Sequence, residues 1–304
     1  MNSTKVSSQH ALVTGATGFI GGNLARALLD QGWGVSCLVR SGSDCKDLPK
    51  EADIIVYDQQ LGPRGLADLL GKIRPAVVFH LASKFLAGHT PEDIPDLVAS
   101  NIQFGAELLE AMTLSQTSLL VNTGTSWQHY ESRAYSPVNL YAATKQAFEA
   151  LLQYYLEAGG VRCVTLKLFD TYGPNDPRPK LFHLLGRVAA SSEALAMSPG
   201  EQLIDLVHID DVIRAFLLAA QRLLAGEVVS SEAYGVSSGR PISLRDLVAI
   251  YSQVSGRRLN VEWGGRPYRN REVMVPWSTV PSLPGWHPAI SLEEGIRRLL
   301  VAED

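Results

Sequence analysis

The chain has 304 residues, of which 46% are hydrophobic and 19% are charged, with 27 Lys plus Arg against 31 Asp plus Glu and a formal net charge of −4. This length and apolar content are enough for a large core, on the scale of about two domains, and the near-balanced charge argues against a nucleic-acid partner. The polar first ten residues and the absence of a long apolar run predict neither a secretory signal nor a membrane span. We therefore expect a cytoplasmic protein without a membrane partner.

The first half of the chain alternates short apolar runs with helical patterns. Runs rich in Val, Leu and Ile, without polar alternation, are typical of parallel strands that helices cover on both faces. The runs are residues 11–14, 34–39, 53–57, 76–82, 118–123 and 162–169, and helices are predicted over 20–31, 96–115 and 140–157. The sequence thus predicts an α/β fold, a doubly wound parallel sheet of the Rossmann type.

The pattern changes after Tyr172. Residues 173–179 contain one Gly and three Pro, which interrupt regular structure. We expect a first domain over 1–172 and a smaller lobe over 173–304, from which the chain can cross back to the first domain. In the lobe, Ser243 and Ser291 are each followed three residues later by an acid, as at a helix N-cap.

The cysteines indicate neither a disulfide framework nor a metal site. Cys37, Cys45 and Cys163 are widely spaced and odd in number. We interpret them as free thiols and expect no bound metal.

Three glycines mark the turn between the first predicted strand and helix, in the segment TGATGFIG (14–21). Glycine allows a tight turn and a close approach of the backbone to a pyrophosphate, and the helix N-terminus presents free N–H groups to that anion. The spacing is GxxGxxG, where the commonest form is GxGxxG. The first domain is therefore predicted to bind a dinucleotide, the alternative being a tight turn without a ligand. The predicted contacts are Gly15, Thr17, Gly18, Phe19, Ile20 and Gly21.

The end of the second strand predicts the choice of dinucleotide. It reads Leu38-Val39-Arg40-Ser41, with no acid to bind an unmodified ribose and with an arginine where a 2'-phosphate would lie. Arg40 and Ser41 therefore favour NADP. The alternative is that Arg40 lies in solvent at the sheet edge.

A tyrosine and a lysine lie one turn apart on the helix after the fifth strand. Tyr141 and Lys145 are at i and i+4, so their side chains can meet. An ammonium close to a phenol lowers the pKa of that phenol towards neutral pH. The pair is typical of proton transfer, with Lys145 also contacting the cofactor ribose.

Seven segments in this order resemble the extended short-chain dehydrogenase/reductases, which include nucleotide-sugar epimerases, 4,6-dehydratases and 4-ketoreductases. The resemblance covers almost the whole chain. The segments are TGATGFIG (14–21), HLAS (80–83), Asn101, Thr123, YAATK (141–145), LFDTYGP (168–174) and VHIDD (207–211).

The resemblance implies roles for individual residues. Thr123 would hold the reacting sugar oxygen together with Tyr141, and Asp58 would contact the adenine. It further implies a homodimer formed through helices of the first domain. The remaining cofactor contacts implied are Leu81, Ala82, Ser83, Asn101 and Leu168. His80 is interpreted as a core histidine.

Departures from the family pattern bear on the reaction. The dehydratases carry acids just after the catalytic threonine, where this chain has Gly124 and Thr125, so dehydration is not expected. Asp170 replaces an asparagine that binds the sugar nucleotide, and Ile204 replaces an arginine. The remaining candidate contacts to the substrate are Lys84, Thr125, Arg269 and Arg271, although the two arginines could equally be solvated loop residues.

A closer resemblance is to the subfamily of CDP-paratose and CDP-abequose synthases. It lies in residues 127–130, 137–149 and 166–176. It implies NADPH-dependent reduction of the C4 ketone of a nucleotide-activated, CDP-linked deoxysugar. A 4-epimerase that uses the same residues is the alternative, and a non-catalytic dinucleotide sensor is a remote one.

Overall fold

A computed structural model describes residues 9–189 and 194–303, so most of the polar N-terminal segment lies outside the described residues. The strands are, in chain order, β1 His10–Thr14, β2 Gly34–Arg40, β3 Asp53–Tyr57, β4 Val77–His80, β5 Leu119–Thr125, β6 Arg162–Leu168, β7 Asp170–Tyr172, β8 Leu195–Met197, β9 Leu203–Ile204, β10 Leu206–His208, β11 Ser231–Val236, β12 Ile242–Ser243 and β13 Val261–Trp263.

The helices connect these strands, and where the structure describes the chain none is long and apolar enough to cross a bilayer. A π-helical turn over Ala99–Gln103 joins the helices Ile94–Val98 and Phe104–Leu114, where the sequence predicted one continuous helix over 96–115. The helices are α1 Phe19–Asp30, α2 Gly62–Ile73, α3 Ile94–Val98, α4 Phe104–Leu114, α5 Leu140–Ala158, α6 Leu181–Ala189, α7 Ile209–Leu224, α8 Leu244–Ser255 and α9 Leu292–Glu303.

A parallel sheet of seven strands organises the described chain, in the order β11-β6-β5-β4-β1-β2-β3. The strand order reverses between β1 and β4, and in such sheets ligands bind in the crevice outside the carboxyl ends of the strands at this point. The predicted doubly wound Rossmann-type fold is confirmed.

Two apolar cores cover the faces of the sheet. Because successive side chains of a strand point to opposite faces, Val13 of β1 packs into the core that includes α1 and α7, while its neighbour Leu12 packs into the core that includes α2, α4 and α5. Both side chains are fully buried. This explains the continuous apolar runs in the sequence.

The chain beyond residue 172 contributes to both parts of the molecule. Helix α7 packs on α1, and β11 pairs with β6 at the sheet edge. The other segments form a smaller lobe around Leu185, Tyr251 and Ile296, in which Ser243 and Ser291 accept the N–H groups of Asp246 and Glu294 at the starts of α8 and α9. The division at residue 172 remains a prediction.

A buried carboxylate fastens the C-terminal segment to α7. Asp211 is 0% exposed, and its Oδ2 accepts the backbone N–H groups of Ala289 (3.2 Å) and Ile290 (3.1 Å). Its backbone carbonyl accepts the indole N–H of Trp286 at 2.9 Å. These bonds hold the segment that precedes α9 against the first turn of α7.

Candidate active site

A cleft lies across the carboxyl ends of the strands and gathers residues from both parts of the chain. Among the residues predicted from sequence, it brings together Gly15, Gly18, Phe19, Ile20, Gly21, Leu81, Ser83, Thr123, Thr125, Tyr141, Lys145, Leu168 and Asp170. Its walls also include side chains that the sequence reasoning missed, which are Phe85, Ser126, Trp127, Phe169, Thr171, Arg178 and Lys180.

Two glycines of the turn, Gly15 and Gly21, have no room for a side chain. Gly15 has φ +71°, and a Cβ there would lie 2.6 Å from the backbone nitrogen of Ala82. A Cβ on Gly21 would collide with the carbonyl oxygen of Gly15. Gly18 is the N-cap residue of α1, whose first turn contains no acidic residue. The backbone of the turn can therefore approach a ligand closely, and no side chain caps the N–H groups at the start of α1. Both features fit the pyrophosphate of a dinucleotide.

Thr14 joins the glycine turn to the end of β4. Its hydroxyl oxygen accepts the N–H groups of Leu81 (3.2 Å) and Ala82 (3.1 Å) and is hydrogen-bonded to His80 Nδ1 at 3.0 Å. Thr14 is 0% exposed. Sequence reasoning missed it because a threonine at the end of an apolar strand carries no distinguishing signal.

His80 is a buried histidine, as interpreted from the sequence. It is 1% exposed, and its ring lies 5.9 Å from Phe104 and 5.0 Å from Phe148 between ring centroids. Burial, together with the charge of Lys145, lowers its pKa to about 3, so the imidazole is neutral at physiological pH.

Tyr141 and Lys145 both face the cleft from the first turns of α5. The side chain of Asn139 caps this helix by accepting the N–H of Ala142 at 3.0 Å, and its amide donates to the carbonyl oxygens of Leu86 and Ala87 at 3.1 Å each. The helix start is thereby fixed against the loop after β4. This positions the tyrosine and the lysine one helical turn apart on the face of α5 that lines the cleft.

The pKa values of the pair differ from the sequence-based expectation. Burial raises the pKa of Tyr141 to about 12, against smaller lowering effects of Ser83 and Arg178, whereas Lys145 was expected to lower it. Burial also lowers the pKa of Lys145 to about 8. Both effects have one physical cause, since an apolar cleft disfavours phenolate and ammonium alike. At neutral pH the tyrosine is therefore protonated and suited to donate a proton.

Thr123 contributes an unused polar atom next to this pair. Its hydroxyl oxygen is buried and has no hydrogen-bond partner among the described residues, while the residue itself lines the cleft. Burying a hydroxyl without a partner is costly. A ligand oxygen bound in the cleft would satisfy it.

Gly124 follows Thr123 and packs against the polar side chains of Glu149, Gln128 and Lys167. A Cβ at this position would lie 3.0 Å from Glu149 Oε1, 3.1 Å from Gln128 Oε1 and 3.1 Å from Lys167 Cγ. Side chains from α5, β6 and the turn after β5 therefore already fill the space beside residue 124.

The opposite wall of the cleft combines charged and aromatic side chains. The ammonium of Lys180 lies 5.4 Å from the centroid of the Phe85 ring, and Phe85 in turn meets Tyr141 edge-on at 5.0 Å. Burial lowers the pKa of Lys180 and raises that of Asp170, while Lys180, Arg178 and Arg269 each lower the latter. Arg178 is paired with Asp176 at 2.6 Å.

Several predicted residues occupy other places. Asn101 does not line the cleft, because its Oδ1 accepts from Ser83 (3.2 Å) and from the N–H of Lys84 (2.7 Å) while its amide donates to Lys84 O (3.0 Å) and Thr144 (2.9 Å). It therefore stabilises the cleft wall at Ser83 and Lys84, and its predicted contact with the cofactor stays a prediction. The ammonium of Lys84 pairs with Asp93 and Asp96 instead of facing the cleft.

The two predicted arginines diverge. The guanidinium of Arg271 stacks 4.2 Å above the Tyr130 ring and donates to Ser136 Oγ at 2.8 Å, and the residue does not line the cleft. Its contact with substrate stays a prediction. The positive charge of Arg269 lowers the pKa of Asp170, which lines the cleft. Arg269 therefore remains a candidate contact for a bound anion.

The residues predicted to contact the adenine and its ribose do not line the cleft. Arg40 ends β2 beside Tyr57, the last residue of β3, and Arg40, Ser41 and Asp58 are all exposed. The carboxylate of Asp58 accepts the N–H of Gln60 at 2.9 Å. Thr17 is exposed at the start of the glycine turn. These side chains are open to a ligand that extends past β2.

A family model for the NAD-dependent epimerase/dehydratase family matches residues 11–234, which include both the glycine turn and the Tyr141–Lys145 pair. The chain belongs to this family. The resemblance drawn from the sequence motifs is confirmed.

Individual relatives cover almost the whole chain. CDP-abequose synthase of Yersinia pseudotuberculosis is 27% identical over 87% of this chain and 90% of that protein. UDP-glucose 4-epimerase of Mycolicibacterium smegmatis is 30% identical over 94% and 96% of the two chains. Relatives of two reaction types thus match at similar identity.

A solved structure matches the fold at full length. The UDP-glucose 4-epimerase of Thermotoga maritima, solved with UDP-glucose, superimposes with a TM-score of 0.83 at 23% identity, covering 97% of this chain and 98% of that one. The UDP-glucose 4-epimerase of Thermus thermophilus in complex with NAD has a TM-score of 0.78 at 25% identity, with coverages of 97% and 98%.

Proposed function

We propose that this member of the family is an NADPH-dependent 4-ketoreductase that acts on a nucleotide-activated, CDP-linked deoxysugar. The observation that carries the proposal is the unpartnered, buried hydroxyl of Thr123, which lines the same cleft as Tyr141 and Lys145. The match to CDP-abequose synthases supports the CDP-linked sugar.

The residues present fit a nicotinamide dinucleotide. The glycine turn would receive the pyrophosphate, and Lys145 would bind the nicotinamide ribose. When bound, the reduced nicotinamide supplies a hydride to the C4 carbonyl of the sugar. Tyr141 would donate its proton to the alkoxide oxygen, and Thr123 would donate a hydrogen bond to the same oxygen. The raised pKa of Tyr141 supports the donating role.

The charged wall of the cleft is proposed to bind the rest of the substrate. Lys180 forms no ion pair with another described residue, and Arg269 lies close enough to influence Asp170. We assign Lys180 and Arg269 to the diphosphate and Asp170 to sugar hydroxyls, with Thr125 beside them. Phosphate oxygens prefer such cations, since hydrogen bonds between two charged groups are the stronger ones.

The choice of NADPH rests on the exposed end of β2. Arg40 and Ser41 lie free there, and no acid follows them directly. A 4-epimerase is the alternative function, favoured by the match to UDP-glucose 4-epimerase and by neighbours solved with NAD. An epimerase would keep its dinucleotide through two hydride transfers, whereas a reductase exchanges it in every turnover.

We also propose a homodimer formed through helices of the first domain. Exposed apolar side chains lie on that surface, among them Leu151 (38% exposed) and Tyr154 (64%) on α5 and Ile94 (42%) and Val98 (43%) on α3. Sedimentation equilibrium measures the mass of the protein in solution, which for a homodimer is twice that of the 33.0 kDa chain.

The decisive experiment follows the dinucleotide. On addition of a CDP-linked 4-keto-6-deoxyhexose or 4-keto-3,6-dideoxyhexose, we expect one NADPH to be oxidised per sugar, with a single configuration formed at C4. Protein that purifies with bound NAD and interconverts two saturated nucleotide sugars without net cofactor consumption would instead be an epimerase.

A further inference from the structure

Arg178 brings a positive charge into the cleft from the segment between β7 and α6. Its side chain lines the cleft together with Gly18 and Phe19 of the glycine turn. The guanidinium carbon lies 4.7 Å from the centroid of the Phe19 ring, and Phe19 is the first residue of α1. A cation from the chain beyond residue 172 therefore lies against the helix start at which a dinucleotide pyrophosphate is expected.

The protein holds the guanidinium of Arg178 in one orientation. Its Nε and Nη2 each donate to the carboxylate of Asp176 at 2.6 Å, and Nη2 also donates to the carbonyl oxygen of Thr171 at 3.1 Å. Nη1 has no hydrogen-bond partner among the described residues. Because a guanidinium has five N–H donors in a fixed plane, the N–H groups of Nη1 remain for a ligand in the cleft.

The charges along the cleft favour an anion beside this guanidinium. Among the described residues, three cations line the cleft, which are Lys145, Arg178 and Lys180, against one acid, Asp170. The first turn of α1 contains no acidic residue and has no side-chain cap. Its free N–H groups therefore add partial positive charge next to Arg178, and a phosphate group would bind to both.

Arg178 and Lys180 face different parts of the cleft. Lys180 lies 5.4 Å from the ring of Phe85, which meets the ring of Tyr141 edge-on, so this cation is on the side of the proton donor. Arg178 lies over Phe19, at the start of α1. The diphosphate of a substrate is therefore expected at Lys180, and the pyrophosphate of the dinucleotide at Arg178.

We propose that Arg178 binds the pyrophosphate of the nicotinamide dinucleotide through Nη1, while Asp176 and Thr171 hold its guanidinium in place. The dinucleotide is then bound by the glycine turn and helix start on one side and by Arg178 on the other. The inference rests on the proposed function only in that the cleft binds a nicotinamide dinucleotide. Since NADPH and NADH share the pyrophosphate, it does not depend on the choice between reductase and epimerase.

The test is a fluorescence titration of NADPH and NADH with the wild type and its variants. Arg178→Gln should weaken the binding of both dinucleotides about 10- to 100-fold, because a hydrogen bond between charged groups is lost. Arg178→Lys keeps the charge without the planar group and should show a smaller loss. Equal loss of both dinucleotides distinguishes Arg178 from Arg40, whose removal should affect NADPH far more than NADH.

Two controls separate phosphate binding from other effects of the substitution. Asp176→Asn removes the ion pair but leaves the guanidinium without its counter-charge, so dinucleotide affinity should equal or exceed that of the wild type. Arg187→Gln makes the same change in net charge at an exposed arginine of α6 outside the cleft, and it should leave both affinities unchanged. Circular dichroism establishes that each variant is folded, and Arg178→Lys keeps a readout should Arg178→Gln not fold.

An Arg178→Gln protein that binds both dinucleotides as tightly as the wild type overturns the proposal. So does an Asp176→Asn protein that loses as much affinity as Arg178→Gln, because Arg178 would then only hold the segment after β7. CDP, titrated by calorimetry, distinguishes the two sources of phosphate, since a loss confined to CDP would assign the guanidinium to the substrate and overturn the proposal. Loss of both dinucleotides in Arg178→Gln, when the wild type oxidises no NADPH with a CDP-linked 4-keto sugar, supports the role of Arg178 and refutes the proposed function alone.

Discussion

The hydroxyl of Thr14 should contribute more to stability than its methyl group, although the residue lies in an apolar strand. Thr14→Val preserves the shape of the side chain but leaves the N–H of Ala82 and the Nδ1 of His80 without their partner, while the N–H of Leu81 keeps the Thr14 carbonyl oxygen at 3.2 Å. Each buried polar group that loses its partner costs about 1–3 kcal/mol. We expect a total loss of about 2–4 kcal/mol, because Ala82 is half-buried.

Thr14→Ser is the matched control. It keeps all three hydrogen bonds and removes one methyl group, which in a buried site costs about 0.5–1.5 kcal/mol. Urea unfolding followed by tryptophan fluorescence measures both free energies. Thr14→Val should be the less stable variant, and its affinity for the dinucleotide should fall because the wall formed by Leu81 and Ala82 is no longer fastened to the glycine turn.

A Thr14→Val protein as stable as the Thr14→Ser protein would refute this reasoning. It would mean that the hydroxyl of Thr14 contributes no more to the free energy of unfolding than its methyl group does. Other contacts would then hold the glycine turn against the end of β4.

Three further predictions concern the cofactor, the proton donor and pH. Arg40→Ala should weaken NADPH binding about 10- to 100-fold and NADH binding much less, since a charged hydrogen bond is worth about 1.5–3 kcal/mol; equal weakening in a fluorescence titration would contradict the assignment. Tyr141→Phe should lower turnover by about 100- to 10,000-fold while NADPH affinity is retained, and near-normal turnover would identify another acid. The pKa of His80 is lowered from 6.5 to about 3, so its contribution to stability is complete above about pH 6.5 and is lost as the pH falls towards 3, at about 1.4 kcal/mol per pH unit. His80→Gln cannot take up this proton, so the difference in unfolding free energy between it and the wild type should narrow between pH 6.5 and pH 4; a constant difference would show that His80 is not responsible.

The sheet could be predicted because its central strands are buried on both faces. β1, β4 and β5 read as continuous apolar runs in the sequence, and the structure buries them. β11 escaped this reasoning because it is an edge strand, in which exposed and partly buried residues alternate before the buried Gly235 and Val236. Its sequence, SEAYGV, contains no uninterrupted apolar run, whereas the other edge strand, β3, has the sequence DIIVY and was predicted.

The cleft residues that could be predicted are those that form a recognisable pattern within a few positions of the sequence. Tyr141 and Lys145 are one turn apart on a helix, and the glycine turn follows a strand directly. The position of Asn101 could not be predicted, because a π-helical turn, which periodicity does not signal, directs its side chain under the loop at Ser83. The ion pairs of Lys84 with acids of the following helical turns could not be predicted either, because they form only in the folded chain.

The crowding around Gly124 has an evolutionary consequence. The acids of a dehydratase would begin at this position, yet an aspartate here would place a second carboxylate against Glu149 and press on Gln128 and Lys167. A side chain at residue 124 would therefore require these neighbouring side chains to shift by a few tenths of an ångström. An acid at residue 124 would thus call for accompanying changes in α5, β6 and the turn after β5.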